Sequence, residues 1–185
     1  MGDDRITFDE LLTEEHNVLR RALKLLRIVT HGVECGGTAD PHDVNALLVF
    51  FHLFGDVLHQ TKEESILFPA LQSSAEHSVL PKLEALVLEH NQQRVLIKKA
   101  QFSLFTDQHD QFIASAHKLI NLLSEHIDEE EKVLFPLAAS ALSLVMANEV
   151  TTRILEADAQ FGVYQRQLLI DTLQRLEVRY LQNAA

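Results

Sequence analysis

Apolar residues recur along this chain with helical spacing, and strand-like alternation is scarce. Thr7-Phe8-Asp9-Glu10 has the spacing of a capping box and opens a segment whose Phe8, Leu11, Leu12, Leu19, Leu23 and Leu26 share one stripe. This first helix is expected to end near His31-Gly32, with Gly36-Gly37 in the loop. Asp40-Pro41 offers an N-cap followed by proline at the first helical position. A second helix then runs through Ala46, Leu47, Phe50, Phe51, Phe54 and Leu58 to about Phe68, where Pro69 kinks or ends it. Pro81 opens a third helix, with Leu83, Leu86, Val87, Val95 and Leu96 as its apolar positions, closing before Thr106-Asp107. A fourth starts near 107–110 and carries Phe112, Ile113, Leu119, Ile120, Leu122 and Leu123 toward Phe135-Pro136. Four helices with short joins predict an all-α, up-down-up-down four-helix bundle.

Beyond it, from Asn148 to about Leu181, the pattern predicts one more long amphipathic helix, burying Ile154, Phe161, Leu168, Leu169, Leu173 and Leu176. Residues 1–145 thus read as the bundle and 146–185 as an extension. The extension could pack on the bundle or build a homodimer with a second copy. An apolar content of 46% is enough for a proper core. A formal charge of −11 argues against neutralising the phosphates of a nucleic acid, and bound cations would offset part of it. Cys35 is alone, so an intrachain disulfide is impossible and a reducing cytoplasm is the natural compartment. Met1-Gly2-Asp3-Asp4-Arg5 is no signal peptide, and the longest apolar runs, 46–51 and 137–147, are too short or interrupted for a bilayer. A soluble cytoplasmic protein with no membrane or nucleic-acid partner is the expectation.

The chemistry lies in a duplication. Glu15-His16-Asn17-x-x-Arg20 recurs as Glu89-His90-Asn91-x-x-Arg94. His59-x3-Glu63-Glu64-x-Ile66-Leu67-Phe68-Pro69 recurs as His126-x3-Glu130-Glu131-x-Val133-Leu134-Phe135-Pro136. Residues four apart on a helix lie about 40° apart around its axis, so His59 with Glu63, and His126 with Glu130, project from one face. His16 and His90 would complete the set from the other two helices. Spacing alone is weak evidence: 10 histidines and 27 acids in 185 residues give about 1.5 such pairs by chance. His52 with Asp56 is a third. The repeated context carries the argument instead.

Four imidazoles and two carboxylates suit transition-metal ions, and neutral imidazole accepts divalent iron, zinc or copper. Six donors are too many for one tetrahedral zinc. Two six-coordinate ions sharing bridging carboxylates and a solvent oxygen use the set better; two irons are the expectation, with zinc or another divalent ion as a substitute. His52 and Asp56 are expected in outer or structural roles, with His52 the candidate for a further imidazole. His31, His42, His77, His109 and His117 have no patterned partner and are expected at the surface. Arg20 and Arg94 read as salt-bridging residues, and the two Phe-Pro pairs as packing plus a kink below the site. Glu-x-x-His, the mark of ferritin-like di-iron proteins, is missing, as are His-Glu-x-x-His, Gly-x-Ser-x-Gly and a Walker loop.

The whole pattern resembles the hemerythrin-like, or HHE cation-binding, domains over roughly residues 7 to 140. That resemblance implies a four-helix bundle around a non-haem di-iron centre, bridged by oxo or hydroxo and carboxylate groups. His16, His59, His90 and His126 would be terminal ligands, and Glu63 and Glu130 the bridging carboxylates. Oxygen-carrying members bear two histidines four apart on the third helix; here the second is Arg94. The set is therefore closer to the branch linked to iron, nitric oxide or peroxide handling. Three functions are compatible with it: binding or sensing of a small diatomic or peroxide ligand, redox catalysis on peroxide, nitric oxide or iron centres, and an interaction module with a structural metal.

Overall fold

The computed structural model describes residues 6–37, 39–74 and 79–181. Six helices account for nearly all of them, with no strand among the described residues. Helix α1 is Phe8–Glu34, α2 spans 41–74, α3 is Leu80–Phe105, α4 spans 109–141, α5 is Leu144–Phe161 and α6 is Val163–Leu181. Local chemistry sets their starts. The Thr7 N–H donates to Glu10 Oε2 at 2.9 Å, as in a capping box. Asp40 Oδ1 accepts the His42 N–H at 2.9 Å, with Pro41 at the first position of α2. Ser143 caps α5 through the Met146 N–H.

Helices α1 to α4 alternate in direction around two apolar clusters. One holds Leu19, Leu23, Phe50, Phe54, Ile97 and Phe112; the other holds Phe8, Leu12, Leu67, Leu83, Leu134 and Phe135. Both α1 and α3 run from the second cluster to the first, while α2 and α4 run back. On every one of these helices the repeated His and Glu positions lie between the two clusters. A polar layer is thereby sandwiched across the middle of an apolar bundle.

Three expectations need correction. Val95 is 49% exposed, because it continues a seven-residue stripe with Leu88 and Phe102 that faces outward. Pro69 does not end α2, which continues to Ser74. The helix instead opens into a π turn over Glu63–Leu67, where the Phe68 N–H reaches back to the Glu63 carbonyl. The same occurs before Pro136, with Phe135 N–H bonded to the Glu130 carbonyl. Proline lacks the N–H for the carbonyl four residues back, and its ring crowds that carbonyl, so a wider turn relieves both problems. The Ser65 carbonyl left over accepts from Arg153 of α5 at 3.3 Å.

Third, the extension is two helices. Gly162 separates them at φ 98°, a backbone angle that side-chain-bearing residues rarely adopt. Val150 and Ile154 of α5 join the cluster around Phe8, whereas Leu173 and Leu176 of α6 join the one around Leu19. Phe161 and Leu169 are partly buried, and Leu168 is exposed. The buried positions of both helices pack against α1 and α2. No helix among the described residues is long and apolar enough to cross a membrane.

Candidate metal centre

All six repeated positions meet in the polar layer. His16, His59, Glu63, His90, His126 and Glu130 are each no more than 2% exposed. The histidines form two close pairs: His16 Nε2 lies 3.0 Å from His59 Nε2, and His90 Nε2 lies 3.0 Å from His126 Nε2. The two carboxylates span these pairs. Glu63 sets Oε1 3.3 Å from His59 Nε2 and Oε2 3.5 Å from His90 Nε2. Glu130 sets Oε2 3.2 Å from His16 Nε2 and Oε1 3.3 Å from His126 Nε2. Two groups of four donors result, His16–His59 and His90–His126, each with both glutamates. Within each group the donor atoms lie within 4.8 Å of one another.

The other ring nitrogens define the tautomers. His16 Nδ1 is 2.9 Å from Glu131, His59 Nδ1 3.0 Å from Glu15, His90 Nδ1 2.7 Å from Glu64, and His126 Nδ1 2.7 Å from Glu89. A carboxylate can only accept, so each Nδ1 carries the proton and each Nε2 turns a bare lone pair inward. Arginines hold two of these outer carboxylates. Arg20 grips Glu131 with both terminal nitrogens, at 2.8 and 2.7 Å. Arg94 reaches Glu64 and Asp56 at 2.7 Å each. The expected salt-bridging role of both arginines is what the geometry displays.

Every charged member of the duplicated motif now has a place. The Glu before each α1 or α3 histidine orients a histidine of α2 or α4, and the second Glu of each Glu-Glu pair orients a histidine of α1 or α3. Glu15, Glu64, Glu89 and Glu131 were not foreseen as site residues, although the repeat that contains them was the available signal. The phenylalanines also touch the site: Phe135 stacks on His16 at 5.5 Å between ring centres and Phe68 on His90 at 6.0 Å.

His52 takes no part in the centre. It is half exposed on the outer face of α2, with Nδ1 3.2 Å from Asp56. Asp56 acts at a distance, through Arg94 and Glu64. His31, His42, His109 and His117 are exposed as expected, and His77 lies outside the described residues.

Burial shapes the electrostatics. Desolvation pushes the Glu63 carboxyl up to about 8, and raises Glu130 well above the ordinary carboxylate range, with the facing Glu63 adding to it. Desolvation likewise lowers His16, His59 and His90 below the ordinary imidazole range. None of the four Glu63 and Glu130 carboxylate oxygens has a hydrogen-bond partner. Buried orphan acceptors are expensive, and two opposed imidazole lone pairs at 3.0 Å repel. Cations between the donors would resolve both penalties. Mixed imidazole and carboxylate donors fit a first-row transition ion better than magnesium or calcium, which favour oxygen alone.

Comparison with known proteins agrees with this geometry. The family model described as the hemerythrin HHE cation binding domain matches residues 7–138, most of the chain. No match was found among curated proteins or among solved structures. The matched span ends inside α4 and leaves out α5 and α6.

Proposed function

The chain belongs to the hemerythrin HHE cation-binding domain family, and on that footing we propose that it binds two iron ions and offers a small ligand an open coordination position. The ligand would be dioxygen, nitric oxide or peroxide, and the role binding or sensing. His16 and His59 would hold one ion and His90 and His126 the other, with Glu63 and Glu130 shared. One observation carries this reading: each buried carboxylate directs one oxygen to each histidine pair, an arrangement a single ion cannot use.

Iron supplies a Lewis-acidic centre of variable oxidation state. The protein's own groups do the rest. Glu15, Glu64, Glu89 and Glu131 lock the imidazoles with Nε2 inward, and the Phe68 and Phe135 rings keep water from two of them. Four protein donors per ion satisfy zinc at its usual tetrahedral count, whereas a six-coordinate iron keeps positions for an outside ligand.

Protein prepared with excess iron under anaerobic conditions should contain two irons per chain and develop near-ultraviolet charge-transfer bands in air. The pair His59→Ala and His126→Ala should abolish both. Unchanged iron content in that double variant, or zinc alone in protein from its native host, would overturn the reading. The same residues would serve a redox enzyme, and multiple turnovers of peroxide or nitric oxide by the loaded protein would favour catalysis over sensing.

A further inference from the structure

The two halves of the centre correspond group for group except at their outer carboxylates on the α2 and α4 histidines. Glu15, which orients His59, is 1% exposed and accepts from Lys62 Nζ at 2.6 Å. Lys62 is itself buried, and its second partner at 2.6 Å is Asp158 of α5. Arg166 of α6 stands 3.6 Å from the same Glu15 oxygen. In the duplicate the place of Lys62 is taken by Glu129, which pairs with Lys82. Glu89, which orients His126, is 33% exposed and has no Lys or Arg ion pair among the described residues. It lines a recess of about 350 Å³ between α3 and α4, with Glu125, Glu129, Lys82, Ala85 and Leu122 around it.

We infer that the two metal positions differ in lability: the His90–His126 position exchanges its ion through the recess at Glu89, while the extension locks the His16–His59 position through Asp158 and Lys62. For an ion to leave, a histidine must swing away from it, and that histidine's carboxylate partner must yield. Glu89 borders solvent and can move. Glu15 is clamped by a buried ammonium that is clamped in turn by a helix outside the family match. Outer partners of metal-bound histidines change metal affinity by about 10- to 100-fold, so an asymmetry of this size is large enough to separate the two ions. Three acidic side chains at the recess also favour the approach of a cation.

The inference rests on a centre that holds two ions, and the two can fail separately. The full chain is loaded with cobalt(II), a coloured divalent probe, and its cobalt content is measured first; fewer than two ions per chain sinks the proposed function. Excess EDTA is then added and the visible bands are followed. One cobalt should leave at least about tenfold faster than the other. Asp158→Asn should accelerate the slow phase alone, by about tenfold, with the helical circular dichroism unchanged. Ala85→Trp, which fills the recess from an exposed position, should slow the fast phase several-fold. Loss of both ions in a single phase, or an Asp158→Asn effect on the fast phase, overturns the assignment. A fast phase indifferent to Ala85→Trp removes the recess as the route.

Discussion

At the scale of single residues, the centre is a collection of groups that the bundle alone does not satisfy. Glu63 and Glu130 favour the protonated form in the metal-free fold, so both add stability that is complete below their ordinary value of 4.5 and, for Glu63, is lost as pH rises through about 8. The neutral His16, His59 and His90 act in the opposite sense and stop contributing change above their ordinary 6.5. Metal-free protein should therefore melt lower at about pH 8.5 than at about pH 6.5, and metal-loaded protein should lack that drop in calorimetry. Gln60 and Gln93 form a second unsatisfied pair: they bond to each other, yet Gln60 Oε1 and Gln93 Nε2 have no partner. Their counterparts in the duplicate are Ile127 and Leu19, both buried. Each single change to Leu should cost about 1–3 kcal/mol by stranding the other amide, while the double change should match or exceed the original. Urea unfolding measures the cycle, and additive losses would refute it.

At the scale of elements, helix identity was legible and helix interruption was not. The caps at Thr7 and Asp40 and the apolar stripes of α1 and α4 depend on neighbours in sequence, which is why they could be read directly. The π turns before Pro69 and Pro136 depend on the rest of the bundle keeping the helix going past a residue that would otherwise end it. Gly162 looked unremarkable inside an amphipathic stretch, because the break it makes follows from where α5 and α6 find apolar surface. Nothing lies within 4 Å of the position a Cβ would take there, so Gly162→Ala meets backbone strain alone. It should destabilise the protein by about 1–3 kcal/mol in urea unfolding. A neutral result would mean that the bend is not needed.

At the scale of the whole molecule, the extension completes the bundle along α1 and α2. Arg21 binds Glu177 through two contacts at 2.8 and 2.6 Å, and the Tyr180 hydroxyl donates to Asp43 at 3.0 Å. Ending the chain at residue 143 would uncover the apolar surface now under Ile154, Leu173 and Leu176 and leave Lys62 without Asp158. That shortened chain should self-associate in sedimentation and melt well below the full one; a stable monomer would show that the extension is dispensable for folding. The sequence by itself determined the helices and the six inward-facing donors, because a duplicated spacing prints the period of a helix and the symmetry of a site directly into residue order. Only the tertiary structure decided that Glu15 serves His59 across a helix boundary, that His52 is excluded, and that Asp158 reaches the site through Lys62. Those pairings join residues 44 to 96 positions apart or hinge on which face of a helix is turned inward, and local pattern carries no record of either.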